Sequence, residues 1–253
     1  MINTKNFKKY FPEFLDLYKT RPIKDNAGGM RWSQSFNFYC ALKELQPTLV
    51  VESGIWKGHS TWIIKNAVTN ADIMSFDIDL SLIEYKFDGV QYLEQDINTV
   101  DWNEFFKDYP EKTSEKTVLF LDDHQNFSER LDFFEEAPFM HIIFEDNYPK
   151  DQGDIDSPKK IIEVDVGEKY KIDKPYNRYY VEMTQELKDK FYKRLDTYIE
   201  LPPLYILENT RWGTSWSYYS TPDPIFKNDE ILDEDCYQNC KDYTWMCYLK
   251  LKL

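Results

Sequence analysis

Two hydrophobic periods divide the chain. Phe7, Tyr10, Phe11, Phe14, Leu15 and Tyr18 recur at helical spacing, and residues 33–45 form a second helical run that ends at Pro47. Between them, Arg21-Pro22 to Gly28-Gly29 reads as a loop. From residue 48 the pattern changes to short apolar runs at 48–52, Asp72–Asp77, Val90–Glu94, Thr117–Leu121 and His141–Phe144. Residues 81–85 form a short turn or helix, and helical stretches occupy 62–68, 102–109 and 128–136, the last capped by Ser128. Strands alternating with helices predict an α/β, doubly wound parallel sheet. Residues 184–195 read as a Thr184-capped helix, and 204–207 as a sixth strand. Residues 243–253 read as a seventh, with Trp245, Cys247, Leu249 and Leu251 alternating against Lys250 and Lys252. The expected organisation is a helical segment over 1–46 and an α/β domain over 47–253. That domain carries a charged, turn-rich insertion at about 148–183 that is either a lid or a loose surface loop.

The stretch Val50-Val51-Glu52-Ser53-Gly54-Ile55-Trp56-Lys57-Gly58-His59-Ser60-Thr61 organises the rest. An apolar strand runs into an acid, then two glycines, then a helix start that Ser60 or Thr61 can cap. Asp77 closes the next strand 19 residues beyond Gly58, a spacing suited to holding ribose hydroxyls. The pattern is not G-x-G-x-x-G, so a dinucleotide fingerprint is incomplete. Acids close the other strands too: Asp96 after the third, Asp122-Asp123-His124 after the fourth, Glu145-Asp146-Asn147 after the fifth. Open α/β sheets bind ligands at that end. His124 is the natural general base, because an unperturbed imidazole with a pKa near ~6.5 removes protons at neutral pH.

Net charge is −14, which argues against a nucleic-acid binder that tracks phosphates and fits a small-molecule partner. No apolar run approaches the roughly 20 residues of a membrane span, and the N-terminus lacks a signal-peptide apolar region, so a cytoplasmic location is expected. Cys40, Cys236, Cys240 and Cys247 have no histidine nearby in sequence and read as free thiols. The aromatic stretch Trp212–Tyr219 suits either a sugar or a structural cluster.

Taken in order, these motifs resemble class I S-adenosylmethionine-dependent methyltransferases, and most closely the cephalosporin-hydroxylase and macrocin O-methyltransferase group. Glu52–Ser60 is similar to the family's first motif in its E-x-G-x-x-x-G-x-S form, Ser75–Asp79 to the second and Leu93–Ile97 to the third. The resemblance implies a Rossmann-like sheet of about seven strands with a C-terminal antiparallel strand. It also implies S-adenosyl-L-methionine as cofactor. Glu52, Ser53, Gly54, Gly58 and Ser60 would face its methionine part, Asp77 the ribose, Asp96 the adenine amino group, and Ile78 and Ile97 the ring. Asp122 with Asp146 and Asn147, and Glu145 beside them, is similar to the magnesium site of catechol-type and sugar O-methyltransferases. Mg2+ would then bind a substrate hydroxyl and lower its pKa. The lysine that the catechol group uses is absent here, where Gln125 and Asn126 stand, and this shifts the load to His124. The implied activity is O-methyl transfer to a small-molecule hydroxyl, with Asp122 and His124 at the reacting centre. The rival readings are a nicotinamide-dependent oxidoreductase and a non-catalytic scaffold. Assembly into a homo-oligomer stays open.

Overall fold

The computed structural model describes residues 1–174, 176–240, 243 and 245–252. Its strands are β1 (Leu49–Ser53), β2 (Asp72–Asp77), β3 (Val90–Glu94), β4 (Thr117–Leu121), β5 (His141–Phe144), β6 (Lys169–Lys174), β7 (Asn177–Glu182), β8 (Leu195–Glu200) and β9 (Cys247–Leu251). Seven of them form one sheet in the order β3-β2-β1-β4-β5-β9-β8, and β6 and β7 pair as a separate hairpin. β1 lies in parallel between β2 and β4. β9 runs antiparallel to both β5 and β8. The sheet is therefore the expected seven-stranded α/β, Rossmann-like arrangement with its C-terminal antiparallel strand.

Both faces of the sheet are covered, which is why its central strands read as unbroken apolar runs. Successive residues point to opposite faces. Val50, Val118 and Ile143 join one cluster, with helices α1 (Phe11–Lys19), α2 (Trp32–Leu45) and α3 (His59–Ala67). Val51, Leu119 and Ile142 join the other, with α4 (Trp102–Asp108), α5 (Phe127–Glu136), α6 (Pro158–Glu163) and α7 (Gln185–Arg194). No helix among the described residues is long and apolar enough to cross a membrane.

Three expectations are corrected. The sixth strand is β8, not 204–207: Pro202 and Pro203 cannot donate to a ladder and leave Leu204 and Tyr205 as buried coil. The insertion is packed, because Ile155, Ile161, Val164, Tyr170 and Ile172 bury against the second cluster. Neither Ser60 nor Thr61 caps α3, and Ser128 does not cap α5. α3 starts at His59 with Gly58 as N-cap, α5 starts at Phe127, and Ser128 donates its N–H to Asp156 Oδ1 at 2.9 Å. Thr184 caps α7 as expected, accepting from the Leu187 N–H. Of the expected seventh strand, Cys247–Leu251 is strand, while Thr244 and Leu253 lie outside the described residues. All four cysteines are free and buried.

His59 ties the start of α3 to α2 through a 2.9 Å hydrogen bond between Nε2 and Ser35 Oγ. Burial lowers its pKa to about 3, and the Arg21 charge adds to this. The folded state thus holds a neutral imidazole where the unfolded chain protonates near ~6.5. Between those values the unfolded state binds more protons, so stability falls as pH falls, by at most about 1.4 kcal/mol per pH unit. Chemical unfolding of His59→Gln and wild type at pH 7, 6, 5 and 4 should show the wild type losing stability more steeply. Equal slopes would contradict a buried neutral histidine.

Candidate active site

The chain reverses its winding direction between β1 and β4, which opens a crevice at their C-terminal ends. A cavity of about 390 Å3 occupies it, within the range of small-molecule sites. Every parallel strand from β1 to β4 contributes its end: Ser53 and Gly54, Asp77, Asp96, and the run 122–125. Gly28 and Gly29 close one side. That loop is held by Trp56 Nε1 donating to Ala27 O at 3.3 Å and Lys57 Nζ donating to Asp25 O at 3.0 Å.

Glu52 is the penultimate residue of β1 but is fully buried and does not line the cavity. Thr61 Oγ1 and Ser75 Oγ donate to its Oε2 at 2.7 and 2.5 Å. Burial pushes its carboxyl up while those hydroxyls pull it down. Glu52 therefore locks β1, β2 and α3 together beneath the site. Ser60 is buried with it, and Gly58 shapes the turn at φ 97°. Ser53 and Gly54 do reach the cavity.

Asp77 braces the glycine loop. Its Oδ2 accepts from the N–H groups of Ile55 and Trp56 at 2.8 and 3.2 Å, and Oδ1 accepts from the Asp79 N–H at 3.1 Å. A carboxylate offers about four acceptor positions, so roughly one is left for a ligand rather than a pair. Asp96 faces the cavity, with Ile78 at 79% exposure, Trp56 at 43% and Leu82 around it. Ile97 does not: it is fully buried in the core cluster that holds Trp102.

The sequence reading missed the cavity floor. Arg130, from α5, is 3% exposed and meets Asp123 through Nη2, Asn98 Oδ1 at 2.8 Å and Asp96 Oδ1 at 3.7 Å. Ser53 Oγ donates to the same Asp123 oxygen at 2.6 Å. The network joins the ends of β1, β3 and β4. Its signal in the sequence was only a lone arginine on an acidic helix.

The acids after β4 and β5 partly converge. Asp122, His124 and Asp146 offer ligand atoms that all lie within 4.8 Å of one another. Glu145 is buried outside that group. Asn147 is engaged by the protein: its Nδ2 donates to Tyr198 OH at 2.8 Å and its Oδ1 accepts from the Lys159 N–H at 2.9 Å. Burial, and then the charge of Asp146, push the Asp122 carboxyl well above the usual carboxylate range, while His124 opposes the shift. Asp146 Oδ2 is buried and, among the described residues, receives no well-aligned hydrogen bond. Crowded carboxylate oxygens, with a poorly aligned imidazole 3.3 Å from Asp146 Oδ2, fit a hard divalent cation.

His124 sits in left-handed backbone at φ 53°, which costs a non-glycine residue roughly 1–2 kcal/mol. Its Nδ1 lies 3.2 Å from Asp154 Oδ2 and 3.3 Å from Asp146 Oδ2. The bond to Asp154, and then the Asp146 charge, raise its pKa to about 10. The unperturbed value expected from sequence is thus corrected: two carboxylates on one nitrogen favour the imidazolium. His141 lies elsewhere, against Tyr248 OH at 2.7 Å.

No family model matches the chain, and no curated protein matches it. Solved structures do match. One is CmcI in its N160 apo form, at 17% identity and a TM-score of 0.36, covering 44% of this chain and 51% of CmcI. A methyltransferase from Geobacter sulfurreducens matches at 16% identity and 0.35, covering 54% of this chain and 69% of its own. The 1,6-didemethyltoxoflavin-N1-methyltransferase of Burkholderia thailandensis, solved with 1,6-didemethyltoxoflavin and S-adenosylhomocysteine, matches at 10% and 0.40 over 79% and 80%. The chain spans about half the length of the CmcI structure it matches. At these scores the likeness adds nothing to the strand order above.

Proposed function

We propose that the chain is an S-adenosylmethionine-dependent O-methyltransferase acting on a hydroxyl of a small molecule such as a sugar or secondary metabolite, with a divalent cation, Mg2+, assisting. One observation carries the reading. A single switch-point crevice holds a nucleoside-type pocket and is lined at its β4 wall by Asp122 and His124, two members of the cluster that buried Asp146 completes behind it. Ile78, Trp56 and Leu82, lining the same cavity as the Asp96 carboxylate, suit a flat ring bearing an amino group. The remaining acceptor position of Asp77 suits one ribose hydroxyl. Ser53, Asp123 and Arg130 keep the floor in register.

Asp122 and Asp146 are the groups that would hold the cation, with His124 at its edge. When bound, S-adenosylmethionine supplies an electrophilic methyl group, and the cation supplies charge that stabilises an acceptor oxyanion and offsets the two carboxylates acting on His124. His124 accepts the acceptor's proton. The crevice walls hold acceptor and donor in one geometry, which supplies much of the acceleration.

The test follows labelled methyl groups from S-adenosylmethionine to a panel of hydroxylated sugars and phenols, with and without Mg2+. Turnover should depend on Mg2+. His124→Ala should lower it by roughly 100-fold or more, leaving S-adenosylmethionine affinity within about threefold. Equal loss of affinity and turnover would remove the base assignment.

A further inference from the structure

Two segments far apart in sequence are stapled beside the reacting centre. The Asp156 N–H donates to Asn126 Oδ1 at 3.1 Å, and the Phe127 and Ser128 N–H groups donate back to Asp156 O at 3.4 Å and Asp156 Oδ1 at 2.9 Å. The segment 150–156 is itself fixed to the inserted hairpin. The Asp173 N–H donates to Gly153 O and the Lys171 N–H to Lys150 O, both at 3.0 Å. Buried Lys160 Nζ clamps Ile155 O at 2.6 Å and Lys171 O at 3.0 Å. Gly153 lies at φ 77° with the Tyr148 ring where a Cβ would stand, 2.0 Å away.

These tethers set the position of Asp154. Its Oδ2 lies 3.2 Å from His124 Nδ1. The His124 side chain is 52% exposed, so apolar packing does not fix its ring. A carboxylate accepting from one imidazole nitrogen orients the ring and leaves the other nitrogen open.

We propose that Asp154 is the positioning residue that holds His124 through Nδ1 and presents Nε2 to the acceptor, which makes the insertion carrying β6 and β7 part of the catalytic apparatus. The inference rests on reading His124 as the proton-accepting group, and its test is independent of turnover. The chain has three histidines, so 15N-histidine labelling gives a small set of imidazole signals. His124→Gln assigns the relevant one.

Wild type should show a downfield, slowly exchanging Nδ1–H signal from His124. Asp154→Ala should abolish it. Asp154→Asn should retain it, since an amide oxygen still accepts. Asp146→Ala should also retain it. No signal in wild type, or a signal that survives Asp154→Ala, overturns the proposal. Should Asp154→Ala fail to fold, Asp146→Ala decides: loss there assigns the ring to Asp146 and overturns the proposal, and retention supports Asp154. In turnover, Asp154→Ala should cost about tenfold with S-adenosylmethionine affinity unchanged, and should add nothing in a His124→Ala background. Failure of the methyltransferase reading shows separately, as absent S-adenosylmethionine binding with the His124 signal intact.

Discussion

Gly54→Ala is expected to lower the melting temperature by roughly 10 °C and to abolish ligand binding in the crevice. Gly54 has φ 92°, and a Cβ there would meet the Asp122 carbonyl oxygen at 2.1 Å and its carbon at 2.5 Å. Both are backbone atoms, so no side chain can swing away. Three strand ends meet here: the Gly54 N–H donates to Phe76 O and the Asp122 N–H to Ser53 O, each at 2.9 Å. Relieving the clash means separating β1 from β4, the two strands that frame the site. Left-handed strain plus that displacement should cost about 4 kcal/mol. Gly213→Ala is the control. It shares a positive φ of 77° but has nothing within 4 Å, so only backbone strain applies, on the order of 1 kcal/mol. Thermal unfolding of the two variants compares them directly. Similar shifts would mean that strand contact at Gly54 does not matter.

Arg130→Met should have the second-largest effect. The guanidinium is 3% exposed and serves Asp123, Asn98 and Asp96 at once. Methionine fills much of the same volume but leaves Asp123, only 14% exposed in its side chain, without its cation. Breaking a buried pair from one side costs about 3–5 kcal/mol. Asp96 is freed at the same time, so affinity for S-adenosylmethionine should fall by roughly tenfold or more. Denaturant unfolding and a ligand titration on the same preparation test both parts. A variant as stable as wild type, with unchanged affinity, would show that the floor network is dispensable.

The parallel strands were legible because burial on both faces makes them unbroken apolar runs bounded by polar residues. β4 and β5 have the bounds expected from their pattern. β8 was not, since its run Leu-Asp-Thr-Tyr-Ile-Glu is half-buried and bulged between Leu195 and Thr197. Acids at strand ends were legible as a group, because topology alone sends them to one edge. Their individual tasks were not. Asp77 spends most of its acceptor capacity on the protein itself, Glu52 commits Oε2 to two hydroxyls, and Asn147 bonds to Tyr198 and Lys159. Those outcomes depend mostly on partners 9 to 51 residues away in sequence. The roles of Asp123, Arg130 and Asp154 were not legible for the same reason: each gains meaning only from a neighbour that folding supplies.

The most direct test of the central claim is calorimetric titration of the full chain with S-adenosylmethionine and S-adenosylhomocysteine, with and without Mg2+, alongside Asp96→Asn. Micromolar binding of S-adenosylmethionine, weakened at least tenfold in Asp96→Asn, is the predicted result. No binding of either compound under either condition would contradict the account and leave the crevice to another ligand.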